Sequence, residues 1–191
     1  MKAVILKASL RDALATGERI SVRSSSFPIL NSLLLVAEKN FLRLEATDLE
    51  VGLRFRILSK NEEEGRVVIP SKSFSQFLGL VKESQITLVA ENNNLTILGK
   101  GFKTTLRGLG PEDFPIIPSL KGNEPFLKIE TQTLCKGLAS VAGFTGQTQT
   151  RPEISGVLFL FQKNMLKLVA TDSFRLGEKT LYLKEENSLD V

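Results

Sequence analysis

The run Asn40-Phe41-Leu42-Arg43-Leu44-Glu45-Ala46-Thr47-Asp48 returns as Asn164-Met165-Leu166-Lys167-Leu168-Val169-Ala170-Thr171-Asp172, 124 residues further along. The same offset carries Ile5 to Ile129, Leu10 to Leu134, Leu14 to Leu138 and Pro28 to Pro152 without a gap. A series of matches at one constant offset marks an internal duplication. The fold is therefore a single strand-and-helix unit that recurs along 191 residues, a length that suits one large domain or up to two small ones.

The first copy is readable element by element. Residues 2–7 are a short apolar run, a strand. Ser9 is placed to cap a helix over 10–19, with Leu10, Ala13 and Leu14 on one face. Residues 29–37 and 41–46 read as strands joined by the turn Glu38-Lys39-Asn40. Over 50–58, Val51, Leu53, Phe55 and Ile57 fall on one face, Arg54 and Arg56 on the other. Residues 61–65 read as a solvated turn and 67–69 as a strand. Ser71 or Ser73 then caps a second helix, in which Phe74, Phe77, Leu78 and Val81 fall at i, i+3, i+4 and i+7. Strands over 85–90, 95–98 and 102–106 follow, turning at Asn92-Asn93-Asn94 and Lys100-Gly101. The order is strand, helix, three strands, and then the same again.

Pro111, Pro115 and Pro118 make 108–123 read as the passage between copies. The expected domains are 1–118 and 125–191, with a linker over 119–124. The second copy's helix is expected over 132–142, with Leu134, Leu138 and Val141 on one face. Val191 is level with Val67 of the first copy, so 125–191 reads as the truncated first half of a domain.

Composition removes several functions. The apolar and charged fractions, 42% and 24%, are those of a soluble globular protein. A net charge of +4 permits a nucleic-acid partner without requiring one. With no histidine and one cysteine, a structural zinc site and a Cys/His nucleophile pair are excluded. No metal site, cofactor or catalytic residue is expected. Cys135 alone cannot form an intrachain disulfide, which fits a reducing compartment. The opening run Ala3-Val4-Ile5-Leu6 stops at Lys7, and no apolar run approaches the ~20 residues of a membrane span. The expectation is a cytoplasmic chain with no membrane partner.

Asp48 and Asp172 stand at equivalent positions and raise an acid/base or metal pair. Each follows a threonine at a strand end, where Asp accepts backbone hydrogen bonds, so both read as turn residues.

One ordered set of segments carries more than any single motif. It comprises Phe27-Pro28-Ile29-Leu30, Ala46-Thr47-Asp48-Leu49-Glu50, Asp113-Phe114-Pro115, Arg151-Pro152 through Ser155-Gly156-Val157-Leu158-Phe159, and Ala170-Thr171-Asp172-Ser173-Phe174-Arg175-Leu176. In this order and spacing the chain resembles the bacterial sliding clamp family, the beta subunit of DNA polymerase III, along its whole length. The resemblance implies an α+β DNA clamp (processivity) fold, with antiparallel sheets outside and helices lining the inner face. It implies a protomer of three such domains, two protomers closing head to tail as a homodimer around duplex DNA. Such a clamp does no chemistry; it tethers the polymerase and makes synthesis processive. The implied partners are duplex DNA held without sequence readout, and the polymerase III alpha subunit, clamp loader and repair proteins bound through short peptides. The alternative is a truncated clamp-like interaction protein that binds clamp partners without closing a ring.

A ring that slides needs cations facing phosphates and no base readout. Arg11, Arg19, Lys72, Lys82 and Lys136, on or beside helices, suit that, as does an ordinary solvated face. The resemblance puts DNA-facing positions at Ser24, Lys72, Thr148, Pro152 and Glu153, with Arg23 beside Ser24. Ser24 stands where the family often has Arg, and Pro152 and Glu153 where some members carry tyrosines. It puts a partner-peptide pocket at Arg151, Ile154, Thr171, Ser173, Phe174, Arg175 and Leu176, where an apolar groove would anchor aliphatic or aromatic side chains. Without the resemblance, Phe174 and Leu176 would read as strand core. It puts a ring interface on the strand over 102–106, at Lys103 and Leu106, with Thr104 where some members have phenylalanine. The plain alternative is an edge strand blunted by lysine.

Overall fold

The computed structural model describes residues 1–21, 27–119, 127–146, 151–162 and 164–183. The chain divides into two units, Met1–Ser119 and Leu120–Val191. The first contains β1 (Lys2–Leu6), α1 (Lys7–Ser21), β2 (Ser32–Glu38), β3 (Phe41–Thr47) and β4 (Gly52–Glu63). It continues with β5 (Gly65–Pro70), α2 (Ser71–Leu80), β6 (Gln85–Glu91), β7 (Asn94–Gly99) and β8 (Phe102–Arg107). Strand, helix and three strands thus occur twice within this unit.

The strands form one antiparallel sheet in the order β5-β2-β3-β4-β1-β6-β7-β8. The pairing repeats as well: β5 lies beside β2 as β1 lies beside β6. β4 pairs with β3 as far as Leu58 and with β1 from Ser59 onward, which joins the two halves. Opposite β5, the chain just past β8 makes a single isolated bridge, Val68 with Leu109. β8 therefore ends the sheet.

Period-two alternation gives the sheet one apolar face, and the helices cover it. Leu10 and Leu14 of α1 and Phe74 and Leu78 of α2 share a core with Leu33, Leu35, Leu42, Leu44, Ile86, Leu88, Leu95 and Ile97. Each such side chain contributes roughly 1.5–3 kcal/mol by leaving water. On the other face, Phe114 is buried with Leu34 and Val68.

Several sequence expectations change here. Ser9 caps nothing: α1 starts at Lys7, directly after β1. That junction is pinned by the Lys7 amide on the Ser84 carbonyl at 2.9 Å and by Lys7 Nζ on the Val81 carbonyl. Residues 28–31 form a 3-10 turn, because Pro28 fixes the first φ and the Ser32 amide closes on the Ile29 carbonyl. The supposed turn at 61–65 is mostly strand, since pairing with β1 carries β4 through Glu63. Neither Ser71 nor Ser73 caps α2. Ser71 is buried, donates to the Asn31 carbonyl at 2.9 Å and accepts from Ser21 at 2.7 Å, tying α2 to the end of α1. Pro111, Pro115 and Pro118 lie in the first unit, which runs through Ser119. There Arg54 Nη2 donates to the Ile117 carbonyl at 3.1 Å.

The second unit contains α3 (Thr131–Val141), β9 (Leu158–Gln162), β10 (Met165–Thr171) and β11 (Leu176–Tyr182), with sheet order β11-β10-β9. Val141, Leu134 and Leu138 of α3 pack on Leu166, Leu168, Ala170 and Leu181. Residues 127–130, level with β1, are not in a strand. Both units are α+β, with antiparallel strands packed against helices. Among the described residues no helix is long and apolar enough to cross a membrane.

Candidate functional site

The duplication is sharpest at the two Thr-Asp turns. In the first, the Leu49 amide donates to Thr47 Oγ1 at 3.0 Å, and the Glu50 and Val51 amides donate to Asp48 Oδ1 at 3.1 and 2.7 Å. In the second, the Ser173 amide donates to Thr171 Oγ1 at 3.1 Å, and the Phe174 and Arg175 amides donate to Asp172 Oδ1 at 3.0 and 2.7 Å. Leu49 and Ser173 both take φ of +75°. Both aspartates thus serve backbone turns, as their Thr-Asp setting predicts.

The second turn has Arg175 where the first has Val51. Arg175 donates to Asp172 Oδ2 from Nε at 3.0 Å and from Nη2 at 2.8 Å. These side-chain bonds come first, followed by the amides of Arg175 and Phe174, in holding the Asp172 carboxyl down at about 2. On the other side of the turn Arg151 Nη1 donates to Ser173 Oγ at 3.3 Å.

Phe174 is 96% exposed and Leu176 65% exposed, so neither is strand core. A neighbouring cleft of about 390 Å³ is lined by residues 152–158 and 169–171. It brings Ile154 and Thr171, expected at the peptide pocket, together with Pro152 and Glu153, expected to face DNA. Ser173, Phe174, Arg175 and Leu176 stand outside its lining.

The helices share a charge pattern. Lys7, Arg11, Arg19, Lys72 and Lys136 are the basic residues of α1, α2 and α3, and Asp12 and Glu18 the acidic ones. Arg11, Arg19, Lys72 and Lys136 are exposed. Arg23, Ser24 and Thr148 lie outside the described residues.

At the sheet edge, Lys103 is exposed and Leu106 packs against the core. A cleft of about 320 Å³ opens beside Thr104, lined by Phe77, Leu80, Val81, Lys82, Glu83 and Phe102.

Residues 1–118 match the family described as DNA polymerase III beta subunit, N-terminal domain. The chain belongs to that family. It is 28% identical over 186 residues to the beta sliding clamp of Synechocystis sp., covering 93% of this chain and 47% of that protein. It is 33% identical over 156 residues to the beta sliding clamp of Vibrio cholerae, covering 80% of this chain and 42% of that protein. The crystal structure of the DNA polymerase III beta chain from Streptococcus pneumoniae superposes with a TM-score of 0.90 at 26% identity, covering all of this chain and 52% of that one. The chain spans about half the length of the curated relatives it matches.

Within this beta-subunit chain, sequence reasoning missed two features. Leu80 is exposed and lies off the apolar stripe of α2, so periodicity did not point to the edge cleft. Phe144 carries the Arg175 guanidinium 5.6 Å from its ring centre, and only the repeat register could have paired the two.

Proposed function

We propose that this chain is the DNA-facing and partner-docking portion of a sliding clamp protomer, a non-catalytic accessory to a DNA polymerase. The observation that carries the reading is the basic excess of the exposed helix residues in a family of beta subunits. Cations on helices bind phosphates without reading bases, which is what a sliding contact requires. Lys72 is the described residue best suited to that, with Arg23, Ser24, Thr148, Pro152 and Glu153 as further DNA-facing positions. The turn at Thr171, Ser173, Phe174, Arg175 and Leu176, with Arg151 and Ile154, would dock short peptides of the polymerase alpha subunit, clamp loader and repair proteins. Exposed aromatic and aliphatic side chains beside fixed polar groups support that use. The β8 edge, with Lys103 and Leu106, would pair with a second protomer in the cytoplasmic ring.

The test is topological. A full-length protomer loaded on nicked circular DNA is retained, and is lost when the circle is linearised. Equal retention on both forms rejects the clamp mechanism.

A further inference from the structure

At the offset relating the two copies, Ile20 becomes Phe144, Val51 becomes Arg175 and Leu53 becomes Gly177. In the first unit Ile20 and Leu53 both pack against the apolar core. In the second unit the three exchanged residues meet. A Cβ built on Gly177 would fall 2.6 Å from Phe144 Cδ2, so the ring occupies space that any side chain there would need. The Arg175 guanidinium carbon lies 5.6 Å from the ring centre, within cation–π range. The exchanges depend on one another: the ring needs the glycine, and the guanidinium gains the ring's face. Asp172 does not distinguish the copies, since Asp48 stands in the first; the ring and the guanidinium do.

We propose that Phe144 is a positioning residue of the docking turn. Its ring, admitted by Gly177, fixes the Arg175 guanidinium next to Phe174 and Leu176, where it meets a carbonyl or carboxylate oxygen of a docked peptide. This rests on the peptide-docking reading above. The occupant follows from the chemistry of the surface. Two guanidiniums, Arg151 and Arg175, flank the turn; Asp172 accepts from Arg175, and Glu153 stands in the lining of the cleft. Ile154, Val157, Leu158 and Val169 line the cleft beside it. An extended peptide with apolar side chains and an acceptor oxygen between them satisfies both. The first copy has Val51 and Ile20 at these two positions.

Two measurements on the full 191-residue chain test this. The first follows the Arg175 Nε–H resonance in an ¹⁵N-labelled sample, which the Asp172 bond and the Phe144 ring current should hold apart from the other arginines. The second measures affinity for the purified polymerase alpha subunit from the same cells. Phe144→Leu should remove the ring-current part of that displacement, leaving the part due to Asp172, and weaken binding roughly two- to fivefold, the range of an exposed cation–π contact. Phe144→Tyr should keep both. Arg175→Gln, an exposed change that leaves the ring packed, should weaken binding at least as much as Phe144→Leu. A Phe144→Leu chain whose Arg175 resonance keeps its full wild-type position overturns the positioning role, as does a Phe144→Tyr chain that loses it. A wild-type chain with the resonance in place and no affinity for the alpha subunit overturns the docking reading instead.

Discussion

Arg54 donates from Nε to the buried carboxylate of Glu45 at 2.6 Å, and the same guanidinium holds the Ile117 carbonyl. Arg43 Nε approaches the same Glu45 oxygen at 3.3 Å without the alignment of a hydrogen bond. One carboxylate thus organises two arginines on the sheet face away from the helices and fastens the chain leaving β8. Glu45→Ala should cost on the order of 2 kcal/mol, the worth of a hydrogen bond to a charged group plus the loss of charge balance. Urea denaturation checks this, and a cost below ~0.5 kcal/mol would show that water replaces Glu45 freely.

At Gly52 that fastened segment packs against the sheet through Ile117. A Cβ there would sit 2.8 Å from Ile117 Cγ2. Gly52→Ala should destabilise the first unit by about 1–3 kcal/mol through overpacking. Adding Ile117→Ala should recover part of the loss. A double substitution that simply sums the two single effects would argue against direct contact.

Asp172 should titrate far below an ordinary aspartate. Its carboxyl is held at about 2, against roughly 3.9 for an unperturbed group. Because the folded value is the lower one, the unfolded chain takes up the proton first. The turn's contribution to stability is therefore complete above pH ~4 and is lost as the pH falls through about 2. A carbon-detected NMR titration reads the midpoint directly. Arg175→Gln should move it upward, and an unmoved midpoint would assign the effect to the backbone amides alone.

Lys72 and Arg19 should govern DNA affinity through salt alone. Each charge that neutralises a phosphate should lower the slope of log affinity against log salt by about 0.9. Lys72→Gln and Arg19→Gln should therefore flatten the slope equally on duplexes of unrelated sequence. A sequence-dependent loss, measured by fluorescence anisotropy, would contradict phosphate-only contact.

The elements with strong periodicity were legible before the structure. The stripes of α1 and α2 and the alternation of Leu53, Phe55 and Ile57 gave helices and a strand where they stand. Their boundaries were less so, because tertiary partners set them. β4 runs into the acidic 61–64 segment as far as Glu63 since β1 needs a neighbour there, and Ser71 turns inward since Ser21 and the Asn31 carbonyl take its hydroxyl. The Thr-Asp turns were legible because Asp and Thr satisfy nearby amides through local geometry. The coupling of Phe144 to Arg175 was not, since it joins the end of a helix to a turn 31 residues later through space that a glycine leaves open.

β4 belongs to both halves of the first sheet, changing partner between Leu58 and Ser59. Neither half can keep its full ladder once that strand is withdrawn. The first unit should therefore open as one foldon: amides of β2 and β3 and those of β6 and β7 should exchange hydrogen with a common free energy, although they lie on opposite sides of the strand they depend on.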